Sequence, residues 1–294
     1  MPIPTQTTSP AKSFLYFAGD FRLSHDYITE ALHNFSHYQD IDMTRTLFAL
    51  PLFALALCAQ PPGLRIIGSP TTIDQPGAYM LTSNLFTNAS TGAGITITAS
   101  DVTLDLNGQT ITGPGNGSHA GLRILNAQNV SVKNGNITGT LMGVMVNNSA
   151  NVRIEGLNIR GFGLAVSAPP PEIGVLINQS RGVVVLNNSL FNVGLGLFVR
   201  GSRSFGNRLQ NNTITAMANG VFGICYNPAD GDPQGPKGDL ITGNLIRGFP
   251  TSIQMNSRSD YNVIDANTLI YTVAGLENTN PTNIAQGNRT AQIQ

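Results

Sequence analysis

The sequence predicts an all-β fold, a right-handed parallel β-helix of about seven coils, and three observations lead there. A six-residue unit recurs, an apolar strand segment precedes each copy, and Asn and Gly crowd the stretches between. The unit reads apolar, any, Asn/Gly/Ala, any, any, apolar: LNGQTI (106–111), VKNGNI (132–137), IEGLNI (154–159), VLNNSL (185–190), LQNNTI (209–214), ITGNLI (241–246) and IDANTL (264–269). Its closing residues are separated by 26, 22, 31, 24, 32 and 23 positions. A period of about 22 with loops inserted is the mark of a stacked repeat.

The preceding element is a small residue followed by alternating apolar positions, the signature of a half-buried strand. Copies are Gly94-Ile95-Thr96-Ile97, Gly121-Leu122-Arg123-Ile124, Gly143-Val144-Met145-Val146, Gly174-Val175-Leu176-Ile177, Gly196-Leu197-Phe198-Val199, Gly220-Val221-Phe222 and the weaker Ser252-Ile253-Gln254-Met255. Each coil then offers three short strands joined by bends. Asn and Gly tolerate the left-handed backbone that such bends need. Stacking sets equivalent positions about 4.8 Å apart, so apolar residues form interior ladders and turn Asn side chains bond to their counterparts. A leucine-rich repeat would need a Leu frame that is missing, and a β-sandwich would not repeat the Gly-apolar pattern in register.

Around this core the expected organisation is an upstream segment over 1–42, a signal peptide over 43–59, an N-terminal cap over 60–93, the β-helix over 94–274 and a C-terminal cap over 275–294. Met43-Thr44-Arg45-Thr46 gives a basic start, Leu47 to Leu57 an apolar run and Cys58-Ala59 a cleavage region, as in an export signal. The run is too short to cross a bilayer. A lipidated Cys58 and a buried core helix are the alternatives. Export predicts a secreted or cell-envelope protein. After residue 59 only Cys225 remains, so no intrachain disulfide can form there.

Charged residues are 11% of the chain and the formal net charge is zero. That excludes nucleic acid as the main partner, which requires a basic field, and excludes a disordered chain.

From Gly94 through Leu269, and above all in the run GITITASDVTLDLNGQTITGPG (94–115), the chain resembles the pectate-lyase-like superfamily of right-handed β-helix proteins. That scaffold hosts lyases, hydrolases, epimerases, adhesins and accessory proteins, so the resemblance implies the fold and leaves the activity to be argued from the site. In enzymes of this kind the site sits on the outward face of the first strand. Here that face is expected to read Thr96, Arg123, Met145, Leu176, Phe198, Phe222, Gln254 and Glu277, apolar and aromatic at its centre.

This strip makes polysaccharide the expected partner, with Arg123, Leu176, Phe198 and Phe222 as the binding residues. Insertions at 167–172 and 226–238 flank it, either walling a shallow trough or folding down as lids. Glycoside hydrolysis needs two carboxylates across the scissile bond, and no adjacent pair is evident. A lyase acting on uronate polymers would use Ca²⁺ held by Asp230, Asp232 and Asp239, with Arg200 or Lys237 as the base. Against this, Asp230-Gly231-Asp232-Pro233 also reads as simple turn chemistry. A purely structural or adhesive surface protein is the third reading. His119 is the only imidazole after residue 60 and reads as a turn residue.

Overall fold

In the computed structural model the chain divides into two units, 1–61 and 62–294. The structure describes residues 14–17, 21–24, 63–87, 92–115, 120–161, 172–217 and 220–293. The expected export signal, most of the 167–172 insertion and His119 lie outside them. In the first unit Phe14–Phe17 pairs antiparallel with Phe21–Ser24.

The second unit is the predicted parallel β-helix, with every strand pairing parallel. Three sheets run its length. Among the described residues the first sheet stacks nine strands, from Thr71–Ile73 through Ala93–Ile97 to the ends of Leu245–Met255 and Thr268–Asn278. The seven repeat copies occupy the middle of this stack. One further coil lies before them and one after, so strands already run from Leu64 and continue to Gln292. The segments expected as caps at 60–93 and 275–294 thus carry ladder strands of their own.

The closing column is aligned as the repeat requires: Leu85, Ile111, Ile137, Ile159, Leu190, Ile214, Ile246 and Leu269 are successive partners. All are at most 3% exposed. Each such side chain contributes about 1.5–3 kcal/mol on burial, and none could be buried by a single coil.

The glycine that opens each first-sheet strand has a steric cause. A Cβ added at Gly121, Gly143, Gly174, Gly196 or Gly223 would overlap the closing Ile or Leu of the same coil. The third position of the six-residue unit is the left-handed bend, with φ of 61° at Asn134, 56° at Asn187 and 54° at Asn211. The fourth becomes a buried amide ladder in later coils. Asn188 donates both its backbone N–H and its Nδ2 to Asn212 Oδ1 at 3.0 Å, Asn212 does the same to Asn244, and Asn244 to Asn267. Buried amides are tolerated because every donor and acceptor in the column is used.

On the second sheet, Asp105, Lys133 and Glu155 are successive partners, with ion pairs Lys133–Asp105 at 3.5 Å and Arg153–Glu155 at 2.8 Å. Exposed pairs of this kind contribute under about 1 kcal/mol.

Ser252 stands where other coils have the opening glycine. It is fully buried, and its Oγ has no hydrogen-bond partner. An unmet buried hydroxyl costs about 1–3 kcal/mol. Ser252→Ala, which keeps the tolerated Cβ, is therefore expected to raise unfolding stability by about 1 kcal/mol. Urea denaturation checks this, and an unchanged or lower midpoint would refute it.

Candidate functional site

The outward row of the first sheet is Thr96, Arg123, Met145, Leu176, Phe198, Cys225, Gln254 and Glu277. Phe222 is not in it. The glycine-apolar pattern expected at Gly220 is in register at Gly223 instead, within the strand Phe222–Asn227, because Gly223 is the glycine that packs under Ile246. Cys225 takes the outward place, and Phe222 falls in the neighbouring row between Leu195 and Thr251.

The centre of the strip is packed, not open. Leu176 and Leu195 are 8% exposed and Cys225 is 2% exposed, with Ile173 completing a buried cluster. Met142, Met145, Phe198, Val221 and Phe222 pack on it, partly buried. The first sheet therefore buries apolar side chains on both faces here. Arg123 lies beyond the cluster, half-buried, two rungs before Leu176.

The polar side of the site is at the end of the Phe198 strand. Asn147, Asn178, Arg200 and Asn227 are successive rungs. Asn178 Nδ2 donates to Asn147 Oδ1 at 2.6 Å. Arg200 interrupts this amide ladder. Its guanidinium lies 5.9 Å from the centroid of the Phe198 ring and 3.4 Å from Asp230 Oδ1. Arg200 Nε and Asn178 Oδ1 are both buried and have no hydrogen-bond partner among the described residues.

The two loop aspartates play different parts from that expected of a metal cage. Asp230 is fully exposed and pairs at 3.4 Å with the Arg200 guanidinium. Asp232 Oδ2 accepts from Ser202 N at 2.9 Å and Gln179 Nε2 at 2.7 Å. The Ser202 N–H, then Gln179, hold its carboxyl below the usual range. With Gly235 N donating to Arg258 O at 2.8 Å and Lys237 N to Ser204 O at 3.0 Å, the insertion is tied down onto its neighbouring coils. Lys237 Nζ lies 3.5 Å from Gln234 Oε1 and forms no ion pair among the described residues.

Asp239 is not with them. It is 1% exposed, inside the helix, in the column Asn207, Asp239, Asn262 and Asn283. It accepts from Asn207 N at 2.7 Å, Asn207 Nδ2 at 3.0 Å and the Tyr226 hydroxyl at 3.0 Å. Burial pushes its carboxyl up to about 6. Among the described residues no three His, Cys, Asp or Glu side chains gather as a metal site, so the expected calcium set of Asp230, Asp232 and Asp239 does not assemble. No helix among them is long and apolar enough to cross a membrane.

Sequence reasoning missed Asn178 altogether. The Asn at the end of successive first-sheet strands, broken once by Arg200, is the signal that would have found it.

A family model described as "Periplasmic copper-binding protein (NosD)" matches residues 86–289, well over half of the chain. No curated protein matches the sequence. Among solved structures, the chain is similar to an alginate lyase from a Paenibacillus species, at 16% identity and TM-score 0.52, covering 77% of this chain and 95% of that one. A pectate lyase from a Bacillus species, in complex with trigalacturonate, gives 13% identity and TM-score 0.53, covering 78% and 82%. A lacto-N-biosidase from Eubacterium ramulus gives 12% and 0.53, covering 78% and 45%. The chain spans only about half the length of several such structures, and at these identities the likeness is one of fold.

Copper prefers soft or imidazole ligands, and the described residues do not fit it. Cys225 is buried, bonded to Gln254 and Asn227, and burial pushes its thiol up to about 12. Met145 is three rungs away, roughly 14 Å along the stack. Met217 and Met255 are buried. What the family match and the stacked ladders establish together is lineage and architecture: the chain belongs to the NosD family of periplasmic proteins and folds as a right-handed parallel β-helix.

Proposed function

We propose that the protein is a cell-envelope β-helix that binds polysaccharide at the Phe198–Arg200–Asn178 corner of the first sheet. One observation carries this reading: the Arg200 guanidinium lies 5.9 Å from the partly buried Phe198 ring, and on the adjacent rungs Arg200 and Asn178 a donor, Nε, and an acceptor, Oδ1, have no partner among the described residues. A sugar hydroxyl both donates and accepts, so it is matched to either group, while the aromatic ring offers a face for the apolar side of a pyranose. Asp230, exposed at the rim, adds an acceptor for a second hydroxyl. Structures similar in fold include lyases of alginate and pectate, which is consistent with a carbohydrate ligand.

The reading is of binding rather than catalysis. Arg200 carries a guanidinium, a group that makes a poor general base. On a glycan array, wild-type protein is expected to retain oligosaccharides that Phe198→Ala and Arg200→Ala bind at least ten-fold more weakly. Wild-type retention by both variants would refute the site.

A further inference from the structure

The outward face of the third sheet differs in character from the other two. Its rows flank the closing column. One includes Asn158, Ser189 and Thr213, and the other runs Arg160, Phe191, Thr215, Arg247 on consecutive coils. Among the described residues neither row of this sheet contains an Asp or Glu, whereas the second sheet mixes Asp105, Lys133, Arg153 and Glu155. In a chain of zero formal charge, this is a face of one sign.

Arg160, Phe191 and Arg247 are exposed, Phe191 by 46%. The Arg160 guanidinium lies 5.5 Å from the Phe191 ring centroid, and Arg247 Nε donates to Thr215 Oγ1 at 3.1 Å. Neither arginine is ion-paired among the described residues. Both forks are thus held by a neighbour on one side and free to receive a carboxylate on the other.

We infer that this face binds an acidic polysaccharide of uronate type, laid along the stack with successive sugars over successive coils. Three features select that ligand. The rise of one coil, about 4.8 Å, is close to the length of one pyranose in an extended chain. The two arginines, roughly 14 Å apart over three coils, supply carboxylate sites at the two ends. Between them Phe191 offers a ring face, and Ser189, Thr213 and Thr215 offer hydroxyls, none of which a ringless polyanion would use. The inference stands apart from the first-sheet site and does not depend on it.

The test is titration of polygalacturonate against the full chain in an Arg200→Ala background, which keeps the first sheet out of the measurement. Adding Arg160→Ala with Arg247→Ala is expected to weaken binding at least ten-fold, and Phe191→Ala alone about five-fold. Poly-L-glutamate of matched charge, a carboxylate polyanion without sugar rings, is expected to bind at least ten-fold more weakly than polygalacturonate. Parental affinity in the double-arginine variant would overturn the proposal. Equal binding of poly-L-glutamate, with no effect of Phe191→Ala, would overturn the sugar assignment. Should the arginine variant not fold, Phe191→Ala and the poly-L-glutamate comparison decide it.

Discussion

Gly196→Ala is expected to lower unfolding stability by about 3 kcal/mol, at the upper end of ordinary overpacking costs. The added methyl would overlap Ile214 Cγ2 of its own coil and the Gly223 carbonyl of the next. Ile214 is fully buried and cannot move aside, and Gly223 is held by the parallel ladder between Leu195–Arg200 and Phe222–Asn227. Relief would require two coils to part, and in a stacked repeat that loss falls on nearest-neighbour interfaces rather than on one residue. Gly206→Asn is the matched control. Gly206 has φ of 64° and nothing within 4 Å of its would-be Cβ, and Asn accepts that conformation, so a change within about 0.5 kcal/mol is expected. Chemical denaturation of both variants checks the pair. Equal losses would mean that close stacking is not what the glycine serves.

This steric rule is also why the fold was legible. Gly-apolar-x-apolar followed by x-x-apolar records one contact, glycine beneath a closing Ile or Leu, repeated coil after coil. Where the contact changes, the pattern fades. The first coil has Thr71-Thr72-Ile73 with no glycine before it. In the last, Ala285 and Thr290 replace the Ile264 and Leu269 of the coil before. Those two coils escaped the repeat for that reason. The first repeat unit hid a smaller slip: Leu104, not Leu106, is the partner of Val132, and the bend that follows is longer.

The site was less legible, because outward positions carry no periodic constraint. Phe222 was misplaced since Gly220 and Gly223 both precede apolar residues, and Tyr226 did not look like an interior residue. It is one, fully buried, because Asp239 accepts its hydroxyl hydrogen. The Asp230-Gly231-Asp232 motif was ambiguous in sequence. Carboxylates of a turn and of a metal loop share spacing, and only the bonds from Ser202 and Gln179 to Asp232 separate them. Arg200, expected as a base, ends the Phe198 strand, and its neighbour Asn178 lies 22 positions away in sequence and becomes adjacent only by stacking.

Asp239→Asn is expected to stabilise the protein by about 2 kcal/mol at pH 7.5 and by almost nothing at pH 4. Asp239 occupies a rung that is Asn in the coils on either side, Asn207 and Asn262. Burial raises its carboxyl from 3.8 to about 6, a rise that the bonds from Asn207 and Tyr226 only partly oppose. A folded-state value above the unfolded one means that the native state favours the proton. Stability is then greatest below about pH 4, falls as pH climbs through 6, and stays reduced above it. A shift near two units corresponds to roughly 3 kcal/mol, of which some is lost to rearrangement. Asn at this position avoids the buried charge. Its Oδ1 can accept both donors of Asn207, as Asn212 does for Asn188, and its Nδ2 can donate to the Tyr226 oxygen. Denaturation at pH 4, 5, 6 and 7.5 gives the difference between variant and wild type, which should open across that window. A difference that is negative at pH 7.5, or the same at every pH, would show that the carboxylate is accommodated as a charge. It would then be holding Tyr226, and with it the Cys225–Phe198 side of the first sheet, by an ionic hydrogen bond that Asn cannot replace.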